Sequence, residues 1–134
     1  MERNALQLIL GVLSLIPLAG LVIGFTDGSD FFMPEGSHAP ANLDNQFRYL
    51  SGVYVAVTIG IWYALPEIER RLAIMRIIGA AIMLGAVGRL LSMRSHGVPD
   101  DPAMIVGVVL EGVVVPLLLL WQARIARQYG HAPW

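Results

Sequence analysis

Residues 103–123 read AMIVGVVLEGVVVPLLLLWQA, an apolar run with a single charge, Glu111, at its middle. A helix needs about 20 consecutive apolar residues to cross roughly 30 Å of hydrocarbon, and this stretch has that length. Asp101 and Pro102 stand immediately before it, a side-chain cap followed by the residue best suited to a first helical turn. Working backward, three more such stretches appear at about 72–93, 44–65 and 5–25. The first contains Pro17, which membrane helices tolerate better than soluble ones. Between the spans lie a loop rich in Asp, Gly, Ser and Pro at 26–42, the polar turn PEIERR at 66–71, and SHGVPD at 95–100. Short connections favour antiparallel neighbours. The expected fold class is therefore all-α: a single integral membrane domain over residues 1–134, folded as a four-helix up-down-up-down bundle. A cleaved signal peptide is the rival reading of the first stretch. Its length, Glu2 in the basic region, and the lack of a small-x-small site after Gly24 favour a retained helix.

Composition agrees. Of 134 residues, 56% are hydrophobic and 14% charged, against about 25% charged in soluble domains. With no cysteine, disulfides, thiolate catalysis and Cys-based metal centres are excluded. The basic residues are all arginine, which excludes Schiff-base chemistry on lysine. A net charge of -1 gives no general attraction to nucleic acid. His38, His96, Asp27, Asp30 and Asp100 match no metal-ligand spacing, so neither a metal nor another cofactor is expected.

Arginine placement sets an expected orientation. With four spans, Arg3, Arg70, Arg71, Arg76, Arg124 and Arg127 fall on one side. The other side carries Arg94 with Asp27, Asp30, Glu35, Asp100 and Asp101. Both termini are therefore expected in the cytoplasm. Trp62, Tyr63 and Trp121 fall where an inner aromatic belt belongs, and Phe25, Phe31 and Phe32 near the outer boundary.

Charges inside apolar spans are costly and usually face a bundle interior. Four ionisable residues qualify: Asp44, Arg48, Arg89 and Glu111. Arg48 continues the four-residue stripe Gly52–Ala56–Gly60, and Arg89 continues Ala81–Gly85, so both are expected on packed faces. Asp44 precedes Arg48 by one turn, the favourable acid-first spacing, although it is also suited to cap the second helix. At about 1.5 Å of rise per residue, Glu111 lies roughly 15 Å and Arg89 roughly 9 Å below the outer surface. The four side chains can meet there, with Ser92 one turn above Arg89.

The runs NLDNQFR at 42–48 and GRLLS at 88–92, with Gly97, Pro99 and an acid in the fourth span, carry a resemblance. They resemble a bacterial membrane family catalogued as domain of unknown function 4345. The resemblance implies a four-helix membrane protein with important positions at Asp44, Arg48, Arg89, Ser92 and Glu111. It implies no activity. A weaker, fold-level similarity reaches toward DoxX-like membrane proteins.

Two interior arginines against one deep carboxylate suit an amphipathic or anionic small molecule, such as a lipid, a sterol-like compound or a quinone. The expected function is binding such a molecule in a polar pocket in the outer half of the bundle, within a bacterial cytoplasmic (inner) membrane. Expected partners are membrane lipids, that small ligand, and a membrane protein partner or a second copy of the chain. A plain alternative is that the charges form an ion-pair network fixing helix register. A non-catalytic accessory or assembly subunit of a larger complex is another. A membrane enzyme on a lipid-like substrate would have to use Glu111 as acid or base, and pairing with Arg89 works against that use. The first helix has no acid inside it, unlike the small multidrug exporters.

Overall fold

The structure is a computed structural model and describes residues 1–130. Among the described residues the regular elements are all helical: α1 (Glu2–Leu13), α2 (Leu15–Thr26), a 3₁₀ turn (Gly28–Phe32), α3 (Ala41–Ala64), a second 3₁₀ turn (Leu65–Glu67), α4 (Leu72–His96), α5 (Pro102–Val109), a π-helical turn (Leu110–Val114) and α6 (Val115–Gln128). They form four helices long and apolar enough to cross a membrane: Glu2–Thr26, Ala41–Glu67, Leu72–His96 and Pro102–Gln128. The chain is an all-α protein of multi-pass membrane type. Each helix extends a few residues beyond the apolar stretch that predicted it, because polar end turns continue the same hydrogen-bonding. Residues 7–66 form one compact unit, and residues 1–6 with 67–130 form another.

The 7–66 unit packs α2 antiparallel on α3. Gln7 Nε2 donates to the Leu65 carbonyl at one end, and Gly24 lies against Ser51 toward the other. The first span breaks between Leu13 and Leu15. Pro17 causes this, since it has no N–H for the Leu13 carbonyl and its ring crowds that group. Polar side chains seal the break. Thr58 Oγ1 donates to the Ser14 carbonyl (2.8 Å), Ser14 Oγ donates to the Gly11 carbonyl (2.6 Å), and Trp62 Nε1 donates to Ser14 Oγ (2.9 Å). Ser14 and Thr58 are fully buried, so each satisfied bond spares a desolvated polar group.

The second unit packs α4 antiparallel on α5, the π turn and α6. Gly79 receives Leu119, Ala86 meets Gly112, and Gly85 lies near Glu111. At the 68–72 end, Leu6, Ile68, Leu72, Ile125 and Ala126 form an apolar core. Buried there, Gln122 donates from Nε2 to the Ile68 carbonyl at 2.8 Å. Arg3 pairs with Glu69 at 2.9 Å and Arg124 with Glu2 at 3.2 Å.

The small-residue stripes differ from expectation. On α3 the buried positions are Ser51, Thr58, Gly60, Ile61 and Ala64, and Ala56 is exposed. On α4 they are Leu72, Met75, Gly79 and Ala86, and Ala81 is exposed. A seam between two helices advances by three and four residues alternately, not always by four, so a strict four-residue stripe drifts off it.

Two glycines mark the tight contacts. A Cβ at Gly24 would overlap the Ser51 side chain, and one at Gly79 would lie 2.5 Å from Leu119 Cδ1. Gly24→Ala and Gly79→Ala should each lower stability by about 1–3 kcal/mol through overpacking. At Gly20 and Gly88 a Cβ meets nothing within 4 Å, so alanine there should be neutral or stabilising. Thermal unfolding in detergent micelles reads the contrast, and equal effects at all four positions would contradict this packing.

Candidate functional site

Asp44 and Arg48 lie one turn apart on α3, as the sequence spacing requires. Arg48 Nε donates to Asp44 Oδ2 at 2.7 Å. The pair then reaches out to the preceding loop. Arg48 Nη1 donates to the Phe25 carbonyl at 3.0 Å, which closes the C-terminal end of α2. Asp44 Oδ1 accepts from the Ser29 N–H at 3.0 Å, satisfying a donor at the start of the 3₁₀ turn. Asp44 does not cap its own helix: α3 begins at Ala41, with Pro40 at the cap position and Asp44 already inside the first turn. The close approach needs Gly28, which has φ +62°, and any Cβ there would overlap both Asp44 and Arg48.

The loop that follows is tied by Asp30. Its Oδ1 accepts from the Ala39 N–H at 2.7 Å, and its Oδ2 meets His38 Nδ1 at 2.7 Å. Thr26, Asp27, Asp30, Phe31 and Arg48 line an open recess of about 550 Å³. Thr26 Oγ1 donates to Asp27 Oδ2 at 2.8 Å, and the Phe31 ring meets Phe32 edge-on.

In the other unit, Arg89 of α4 grips Glu111 with two parallel bonds, Nε to Oε2 at 3.0 Å and Nη2 to Oε1 at 3.2 Å. Nη1 meets the Met104 thioether at 3.6 Å. Gly107, one turn before Glu111, leaves room for the guanidinium, since a Cβ there would lie 3.4 Å from Arg89 Cζ. Glu111 sits inside the π turn, where the Val115 N–H bonds the Leu110 carbonyl five residues back. Pro116 follows at once and has no N–H for the Gly112 carbonyl, which favours the wider turn. The Glu111 side chain is 14% exposed and that of Arg89 40%.

Asp44 thus meets Arg48 in one unit, and Arg89 meets Glu111 in the other. Ser92 is exposed on α4 and does not share in the bonds of its neighbour pair. Asp101 caps α5 as expected, accepting from the Ala103 N–H at 2.9 Å. Sequence reasoning missed the partners of these residues: Gly28, Ser29, Met104 and Gly107. Asp-Gly-Ser at 27–29 was the available signal, a tight-turn sequence next to a span end. For the π turn the signal was Pro116.

The loop pair gives a pH dependence of defined sign. Asp30 accepts from His38, which raises the imidazole above its ordinary value near 6.5. The Ala39 N–H foremost, then His38, holds the Asp30 carboxyl below the usual carboxylate range. A raised imidazole contributes its stabilisation fully below the ordinary value and loses it as pH rises through the raised one. The carboxyl's contribution is present above its ordinary value and disappears as pH falls through the lowered one. The His38 ring resonance in an NMR titration should therefore move with a midpoint above 6.5, returning to the ordinary value in Asp30→Asn. An unchanged midpoint in that variant would contradict the pairing.

No curated protein and no solved structure gives a significant match to this chain. Residues 5–122 match the family described as Domain of unknown function (DUF4345). That match takes in both units and every charged residue described above except those in the terminal turns. The chain is a member of the DUF4345 family.

Proposed function

We propose that this protein binds a small amphipathic molecule whose polar end meets Arg89 and Glu111 and whose apolar part lies along the membrane-facing surface of the helices. The observation that carries this reading is an ion pair left open on one side. Arg89 is about 10 Å from the end of α4, inside an apolar span, yet its side chain is 40% exposed. Among the described residues its Nη1 meets only a thioether, which is a weak acceptor. A pair whose sole purpose was to fix register would be better closed, because N–H groups without acceptors are costly in hydrocarbon. An acceptor oxygen supplies what Nη1 lacks. Since Glu111 already balances the charge, carbonyl, hydroxyl and headgroup oxygens all suit it, as in quinones, sterol-like compounds and lipids.

Both Glu111 oxygens are engaged by Arg89, so a proton-transfer role for Glu111 has less support than binding. Arginine placement supports cytoplasmic termini and, with them, a position for the pair in the outer half of the membrane, and the family resemblance supports a bacterial inner membrane. An accessory-subunit role has one observation in its favour. The apolar part of the fourth span is 6% buried, against 22–28% in the other three, so a partner helix has room to dock there.

Native mass spectrometry of the gently purified protein tests the choice. The expected result is a reproducible small-molecule adduct, lost in Arg89→Gln and reduced in Gly107→Leu, which crowds the guanidinium without removing the charge. Arg89→Gln leaves Glu111 unbalanced and should melt lower than the wild type. The double variant Arg89→Gln with Glu111→Gln, which has no lone charge in the span, is therefore the folded control and should also lack the adduct. An adduct equally retained in all these variants would refute this site, and a co-purifying protein with no small molecule would favour the accessory role.

A further inference from the structure

The recess in the 7–66 unit is separate in its residues from the Arg89–Glu111 site, and its lining has a distinct chemistry. Thr26, Asp27, Asp30, Phe31 and Arg48 surround about 550 Å³ of open space. Each polar member is held in place. Arg48 is fixed by Asp44 and the Phe25 carbonyl, Asp30 by the Ala39 N–H and His38, and Asp27 by the Thr26 hydroxyl. Such side chains offer a preformed surface, with little conformational freedom left to lose on binding.

The charges in and around the recess suit a ligand carrying both signs better than a simple ion. Arg48 is balanced by Asp44 and Asp30 is paired with His38, while Asp27 adds a carboxylate with no cationic partner among the described residues. An anion alone meets more negative than positive charge. A cation alone meets an arginine whose side chain is 40% exposed. A zwitterion with a phosphate and an amine joined by a short link fits both. A phosphate oxygen can accept from the guanidinium N–H groups that Asp44 and the Phe25 carbonyl leave free. An ammonium takes Asp27 and Asp30, with the Phe31 ring alongside as a π partner.

The position says where such a zwitterion comes from. Thr26 is the last residue of the first span, and Arg48 lies within two turns of the start of the second. Phe25, Phe31 and Phe32 are all exposed beside the recess, an apolar surface that acyl chains can lie against. We propose that this recess is a second binding site, one that holds the headgroup of a zwitterionic phospholipid, its phosphodiester at Arg48 and its primary ammonium between Asp27 and Asp30. A primary ammonium is favoured over a quaternary one because the carboxylates accept its N–H bonds.

The full-length protein in detergent is titrated with short-chain phosphatidylethanolamine, phosphatidylcholine and phosphatidylglycerol, and with glycerophosphoethanolamine, and bound species are counted by native mass spectrometry. Phosphatidylethanolamine should bind about tenfold more tightly than phosphatidylglycerol, with phosphatidylcholine between them. Asp27→Asn, whose carboxylate bonds only the adjacent threonine, should remove most of that preference, as should Asp30→Asn. Arg89→Gln should leave it intact, which separates this site from the one proposed above. Equal or tighter binding of phosphatidylglycerol to the wild type would overturn the proposal, as would an unchanged preference in both aspartate variants. Equally tight binding of glycerophosphoethanolamine would replace the lipid with a soluble phosphoamine.

Discussion

Hydrocarbon offers no hydrogen-bond partner, so every backbone carbonyl freed inside a membrane protein has to find a donor within the chain. Four side chains donate to carbonyls at irregular places in the backbone here. Thr58 serves the Ser14 carbonyl at the break in the first span, Gln7 the Leu65 carbonyl, Gln122 the Ile68 carbonyl, and Arg48 the Phe25 carbonyl. Each of these carbonyls stands at a kink, a turn or a helix end. Irregular backbone and polar side chain therefore occur together. Thr58 and Gln122, both polar, are accordingly among the most deeply buried residues of the protein.

The same constraint shapes the two arginine pairs, with different results. Arg48 and Asp44 spend their bonds on the backbone of the loop before α3, and Gly28 makes that approach possible. Their first role is architectural: they fix the 3₁₀ turn and with it the walls of the recess. Arg89 and Glu111 spend theirs on each other. Neither residue holds a turn or a helix end, and the guanidinium keeps an open side. Removing either partner would leave an unbalanced charge in the span, a larger cost than the pair's net contribution to stability.

Proline places the irregularities. Pro17 follows the break at Ser14, and Pro116 follows the π turn that carries Glu111. In both cases the missing N–H is local, but the outcome depends on what stands opposite. Beside Pro17 a buried threonine and a tryptophan supply donors. Next to Pro116 the helix widens instead, and the acidic side chain within the widened turn meets an arginine from α4.

Length and apolarity determined the four spans, because crossing hydrocarbon is a one-dimensional requirement that a sequence states directly. The Asp44–Arg48 pair was equally legible, since four residues along a helix is one turn. So was the Asp101 cap, a contact between near neighbours in the chain. What stood open along 103–123, the partner of Glu111, was decided by tertiary packing. Arg89 is 22 residues away, and its bidentate grip depends on how α4 crosses the π turn and on the space Gly107 leaves. The packed seams behaved likewise, with Ala56 and Ala81 turned outward although their spacing suited a stripe. Helical periodicity fixes which residues share a face, but only the crossing of two helices chooses the face that is covered.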